Sequence, residues 1–214
     1  MNNLQRIANL YRDLLILIGA MILMVIAIFP EPFSLLRDPV SWLGKTGPGS
    51  GFAVYRSFWL FSAALIFITF KWYQIIAVVA QSPIWQKLYV RLAFLAVLAG
   101  FLLMLFPCDR FNPIHSTGGA LVGIGMWIIS SMMLFRLGRM FNRFVETSLH
   151  VMLHSSALYC IIHFSLDTPL KGFSQRPAIL AIVLVTTICL HWHSKALQKG
   201  NSSDDEAVTD LLNS

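Results

Sequence analysis

Charge is scarce in this chain. Only 12% of its 214 residues are Asp, Glu, Lys or Arg while 57% are hydrophobic, and a water-soluble globule of this length needs far more charge to cover its surface. The three cysteines, Cys108, Cys160 and Cys189, have no CxxC spacing. That argues against a zinc site made of thiolates and leaves small apolar packing as their expected role. There is no period-two alternation of the kind barrel strands need, no internal repeat, and no linker between two domains. Nor does a small-residue cleavage pattern follow the first apolar run, which ends Ile28-Phe29-Pro30-Glu31-Pro32, so that run reads as an uncleaved span rather than a secretory signal. What is present is apolar sequence, with a mean hydropathy of +0.69.

The apolar residues fall into six stretches, Asp13–Phe29, Val54–Ala80, Tyr89–Phe106, His115–Leu134, Thr147–Ser165 and Pro177–His191. Each is at or near the ~20 residues a helix needs to cross ~30 Å of hydrocarbon. The expected fold is therefore all-α, a polytopic transmembrane bundle of six spans over residues 1–199, followed by a disordered polar tail over residues 200–214 that carries Asp204, Asp205 and Glu206. The second stretch is long, and its Lys71-Trp72-Tyr73 cluster predicts that the span ends there and that a further turn or two lies along the interface.

If all six stretches cross, one side carries Arg6, Arg12, Lys71, Lys87, Arg91, Arg136, Arg139, Arg143, Lys195 and Lys199. The other carries Arg37, Lys45, Arg56, Arg110, Lys171 and Arg176. By the positive-inside rule both termini are cytoplasmic. The net charge of +6 then follows from basic loops beside anionic headgroups and calls for membrane lipids, not nucleic acid, as partners.

The outer side holds two loops dense in polar and turn-forming residues. The first, Arg37 to Gly51, has four glycines and two prolines, and predicts an irregular, tightly turned segment able to act as a lid. The second, Phe106 to Gly119, sets Asp109, Arg110 and His115 together at the membrane edge.

The segments "DPVSWLGKTGPGSGFAVYRSFWLFSAALIF" and "FPCDRFNPIHSTGGALVGIGMWI" resemble the paired signature of the bacterial domain of unknown function 998 family. There a Ser-x-Leu-Gly loop opens the second span, and a Phe-Pro-x-Asp segment precedes a His that starts the fourth. Ser41, Leu43 and Gly44 fall on the first motif; Pro107, Asp109 and His115 fall on the second. The damage-regulated autophagy modulator family shares the plan more loosely. The resemblance covers roughly residues 10 to 195. It implies six helices in a bacterial inner (plasma) membrane and supplies no reaction, since the family is not defined by one. Trp42 stands where the family often has a small or polar residue, and Pro48-Gly49-Ser50-Gly51 is more glycine-rich than usual.

His163 and Asp167 end the fifth stretch on the side of Asp109 and His115. Two histidines and two carboxylates could hold zinc and activate a water. In that reading Asp109, His115 and Ser41 are catalytic, with Asp109 orienting His115, and His115, His163 and Asp167 are the metal ligands. In the plainer reading Asp109 caps the fourth helix or pairs with Arg110, and the histidines are interfacial side chains with satisfied hydrogen bonds. On the cytoplasmic side His150 and His154 share a helix face, and with one of His191 and His193 could bind a transition metal or haem iron, or simply pack. Gly119 and Gly123 give small-xxx-small spacing, which predicts close helix packing and damage from Gly123→Leu, or else a groove for a lipid chain.

The middles of the spans are nearly free of ionisable groups, which disfavours transport. Two functions fit. The chain is a non-catalytic bundle that binds or senses a lipid or membrane protein partner, or it is a membrane-embedded metal-dependent hydrolase or transferase acting on a lipid or lipid-linked substrate at the outer face.

Overall fold

The apolar stretches fold as helices. In the computed structural model, which describes residues 3–28, 34, 38, 45–46, 56–80, 87–137 and 141–212, six helices follow in chain order: α1 Asn3–Ile28, α2 Arg56–Val79, α3 Leu88–Leu103, α4 Asn112–Leu137, α5 Arg143–Ser165 and α6 Lys171–Leu212. Among the described residues there is no strand. Four segments, Arg6–Ala27, Phe58–Val79, Asn112–Arg136 and Lys171–Trp192, are long and apolar enough to cross a membrane. The 16-residue α3 is shorter, and α5 is interrupted by Glu146, His150, His154, Ser155 and Ser156.

Each helix turns one stripe inward. On α1 the stripe is Ile7, Tyr11, Leu14, Met21 and Val25, at helical three-to-four spacing, while Ile16, Leu23 and Met24 stay exposed as a lipid-facing surface requires. α2 runs past Lys71 without a break. Trp72 is 1% exposed, stacks on Phe94 at 5.3 Å between ring centroids, and donates its indole N–H to the Phe94 carbonyl at 3.0 Å. That partner in α3 lets the tryptophan sit in the core, and α2 continues to Val79.

Backbones meet most closely between α3 and α4. A Cβ added at Gly100 would lie 2.6 Å from the Gly118 carbonyl oxygen, and one at Gly118 would lie 2.7 Å from the Gly100 oxygen. At Gly125 it would lie 2.5 Å from a Val97 methyl and 2.8 Å from the Ala93 oxygen. As Gly118 and Gly125 are seven residues apart, two turns, they share a face. Gly119 and Gly123 point elsewhere, with nothing within 4 Å of an added Cβ. The close packing anticipated at Gly119 and Gly123 is therefore carried by Gly118 and Gly125, because one residue of rotation, about 100°, takes Gly119 off the contact face.

Polar links complete the packing. Ser130 of α4 and Thr186 of α6, both buried, share a hydrogen bond of 2.7 Å. The Asn142 side chain caps α5 by accepting from the Val145 N–H at 2.9 Å, as an N-cap residue does. α6 runs from Lys171 to Leu212 and so extends past Gly200.

Candidate functional site

The turn between α3 and α4 is short and self-bonded. The Pro107 carbonyl accepts the N–H groups of Arg110 at 3.3 Å and Phe111 at 2.8 Å, and the His115 N–H reaches the Phe111 carbonyl at 3.0 Å as α4 begins. Phe106 and Phe111 pack edge to face at 5.7 Å. This turn carries Cys108, Asp109 and, one helical turn on, His115.

Asp109 takes hold of Thr46, in the segment between α1 and α2. One carboxylate oxygen accepts the Thr46 N–H at 3.0 Å, the other accepts the Thr46 hydroxyl at 2.5 Å, and Thr46 is 3% exposed. Burial alone would raise the pKa of Asp109, but the Thr46 hydroxyl and amide, its own backbone and the Arg110 charge outweigh it and hold the carboxyl below its usual range. Burial, then the Asp109 charge, push the Cys108 thiol up to about 11, so it is a thiol and not a thiolate at neutral pH. All three cysteines are free.

His115 is fully buried, with its ring 6.3 Å from that of Phe61. Nδ1 lies 2.8 Å from the Phe106 carbonyl oxygen; a carbonyl only accepts, so Nδ1 carries the proton and donates. Nε2 is left as a buried lone pair with no hydrogen-bond partner among the described residues. The imidazole is thus oriented by a backbone carbonyl. Asp109, assigned that role from the sequence, turns its oxygens to Thr46.

The segment between α1 and α2 has a second tether. The Ser34 N–H donates to the Asp38 carboxylate at 2.6 Å, the Asp38 N–H returns a bond to the Ser34 carbonyl at 2.9 Å, and the Arg176 guanidinium of α6 donates to the Asp38 carbonyl at 2.7 Å. Thr46 and Arg176 are the residues that sequence reasoning missed. Thr46 sat unremarked in a glycine-rich loop, and Arg176 counted only as a charge. Ser41 lies outside the described residues, as do Trp42, Leu43 and Gly44.

His163 and Asp167 have a local task. Asp167 has φ of 48°, the left-handed conformation that ends helices. Around it the Thr168 N–H bonds the His163 carbonyl at 3.1 Å and the Asp167 N–H bonds the Phe164 carbonyl at 3.3 Å, which is the Schellman pattern. The His163 imidazole lies 2.6 Å from the Thr168 hydroxyl, and Asp167 pairs with Lys171 at the start of α6. Among the described residues no three of His, Cys, Asp and Glu gather as metal ligands.

On the opposite side, the Trp127 indole N–H donates to His154 Nδ1 at 3.2 Å, and His154 Nε2 lies 3.3 Å from His150 Nδ1. Since indole can only donate, His154 carries its proton on Nε2 and passes it toward His150. Both nitrogens of His154 are occupied. His191 is exposed, and the side chain of His193 lies outside the described residues.

Comparison with family models, with curated proteins and with solved structures gives no match.

Proposed function

We propose that the chain is a six-span membrane protein, both termini on the cytoplasmic side, whose outer cap binds or senses a lipid or a membrane partner without catalysis. Four helices of spanning length support the membrane assignment. The six-span count is supported by the way the other two lie. Gly100 faces Gly118 and Ala93 faces Gly125, so α3 runs antiparallel along a helix of spanning length. Between α5 and α4, Trp127 meets His154. A helix packed along a spanning neighbour lies at the same depth, which is what a fifth and a sixth crossing require.

One observation carries the functional reading: the first outer loop is latched, through Thr46, to the turn that leads into a fully buried His115. A ligand that competes for these hydrogen bonds would release the latch. Among the described residues Asp109 is engaged by Thr46 and Arg176 by the Asp38 carbonyl, which favours binding over chemistry. The second reading, metal-dependent hydrolysis or transfer on a lipid or lipid-linked substrate, draws support from His115 itself. An imidazole whose Nδ1 donates to a carbonyl presents Nε2 as a metal ligand or general base, and zinc would be the metal suited to such a site.

Metal analysis of the detergent-purified chain beside His115→Ala separates the two. The binding reading expects no stoichiometric metal in the well-folded wild type. About one zinc per chain, lost in His115→Ala, would overturn it in favour of the hydrolase or transferase.

A further inference from the structure

At the end of the bundle remote from the cap, α1 and α2 part to form a cleft of about 370 Å³ lined by Arg6, Asn9, Leu10, Asp13, Gln74, Ala77 and Val78. The volume is within the usual range of small-molecule sites. We propose that this cleft is a binding site for an anionic phospholipid, with the headgroup phosphate held by Arg6 and Gln74 and the glycerol shoulder resting on Leu10, Ala77 and Val78.

Charge comes first. Among the described lining residues Asp13 is the one carboxylate, and it is already flanked by Arg12 at 3.5 Å and Lys71 at 3.9 Å. Arg6 has no ion pair among the described residues, and no hydrogen bond there holds the Gln74 amide. The cleft therefore offers an unpaired guanidinium, whose planar fork matches phosphate oxygens, beside a free amide donor, while its single negative charge is offset by two cations.

Depth selects a lipid over a soluble anion. The apolar segment of α1 begins at Arg6 and that of α2 ends at Val79, so Arg6 and Gln74 stand at the same end of two adjacent spans, where headgroups lie. The floor is apolar, a poor surface for a free phosphate and a suitable one for the first carbons of a lipid. This end also carries the larger share of Lys and Arg, the side on which anionic lipids concentrate. The inference rests on the membrane-spanning reading but not on the cap: a failed topology would remove both, whereas a failed lipid assay would remove this one alone.

The test is thermal unfolding of the full chain in detergent with added phosphatidylglycerol or phosphatidylcholine of identical acyl chains. Phosphatidylglycerol should raise the melting temperature and phosphatidylcholine should not. Arg6→Ala should weaken the phosphatidylglycerol effect about fivefold in apparent affinity, and Arg143→Ala, a basic residue outside the cleft, should leave it unchanged. Gln74→Leu keeps every charge and should weaken it a few-fold, so the proposal stays testable if Arg6→Ala folds poorly. Equal responses to the two lipids, equal losses in Arg6→Ala and Arg143→Ala, unchanged affinity in Gln74→Leu, or stabilisation by inorganic phosphate matching that by lipid would each overturn it.

Discussion

The carboxylate of Asp109 grips Thr46 at both ends, through the backbone N–H at 3.0 Å and the hydroxyl at 2.5 Å, across 63 positions of sequence. Thr46 and Asp109, which look independent in the sequence, are joined. Hydrogen bonds to a charged acceptor are each worth about 1.5–3 kcal/mol where water is excluded, and less at a partly exposed carboxylate such as this one.

Asp109→Asn should therefore loosen the cap. We expect a loss of about 1–2 kcal/mol, read as a lower melting temperature in detergent, together with faster proteolysis of the first outer loop. Thr46→Val, which removes one of the two bonds, should lose less. Because the Asp109 carboxyl is held below its usual range, its contribution is complete above the ordinary Asp value of about 3.9 and fades as pH falls through the lower, folded value. Stability from this latch should thus be flat from pH 5 to 8 and decline only in stronger acid. A midpoint near neutrality, absent in Asp109→Asn, would contradict the assignment.

Glycine substitutions in α4 should separate into two groups. Gly118→Ala or Gly125→Ala drives a methyl into the backbone of α3, and overpacking of this kind costs about 1–3 kcal/mol. Gly123→Leu meets open space and should accumulate in membranes at the wild-type level. Equal damage from Gly118→Ala and Gly123→Leu would mean that α4 is rotated from the orientation described.

Asp167 tests whether the end of α5 is a stop signal or a ligand. Asp167→Gly keeps the left-handed φ of 48° at no steric cost, so stability should hold even though the pair with Lys171 is lost. Asp167→Val should lose about 1–2 kcal/mol. A protein in which both variants bind less metal, with unchanged melting, would instead make Asp167 a ligand.

The Ser130–Thr186 bond is the polar tie between α4 and α6 in the core. A double-mutant cycle with Ser130→Ala and Thr186→Val should give a coupling of about 0.6 kcal/mol, with an upper end near 2. A coupling of zero would show that the two hydroxyls are served by their own helices, as Ser130 also is through the Met126 carbonyl.

Helix positions were legible because lipid imposes a simple pattern, long apolar runs broken by polar turns, and α1 to α5 fall close to the stretches that hydropathy picks out. The errors come from tertiary partners. Trp72 reads as an interface anchor until the Phe94 carbonyl supplies an acceptor inside the bundle. Gly119 and Gly123 fit the spacing rule as well as Gly118 and Gly125 do, and only the position of α3 decides between the pairs. At the turn between α3 and α4, spacing drew attention to Asp109 and His115 but could not show that Asp109 is engaged by Thr46, since the partner is 63 residues away. His163 and Asp167, expected as metal ligands, stand at the end of α5, where a helix stop and a metal site call for the same residue types.

The most direct test of the account is the sidedness of the cap. In a chain with Cys108, Cys160 and Cys189 replaced by Ala, single cysteines at Lys45 and at Arg143 can be probed in intact cells with a membrane-impermeant maleimide. The six-span arrangement predicts labelling of Lys45→Cys in intact cells and of Arg143→Cys only after permeabilisation. Labelling of both from the same side would contradict it.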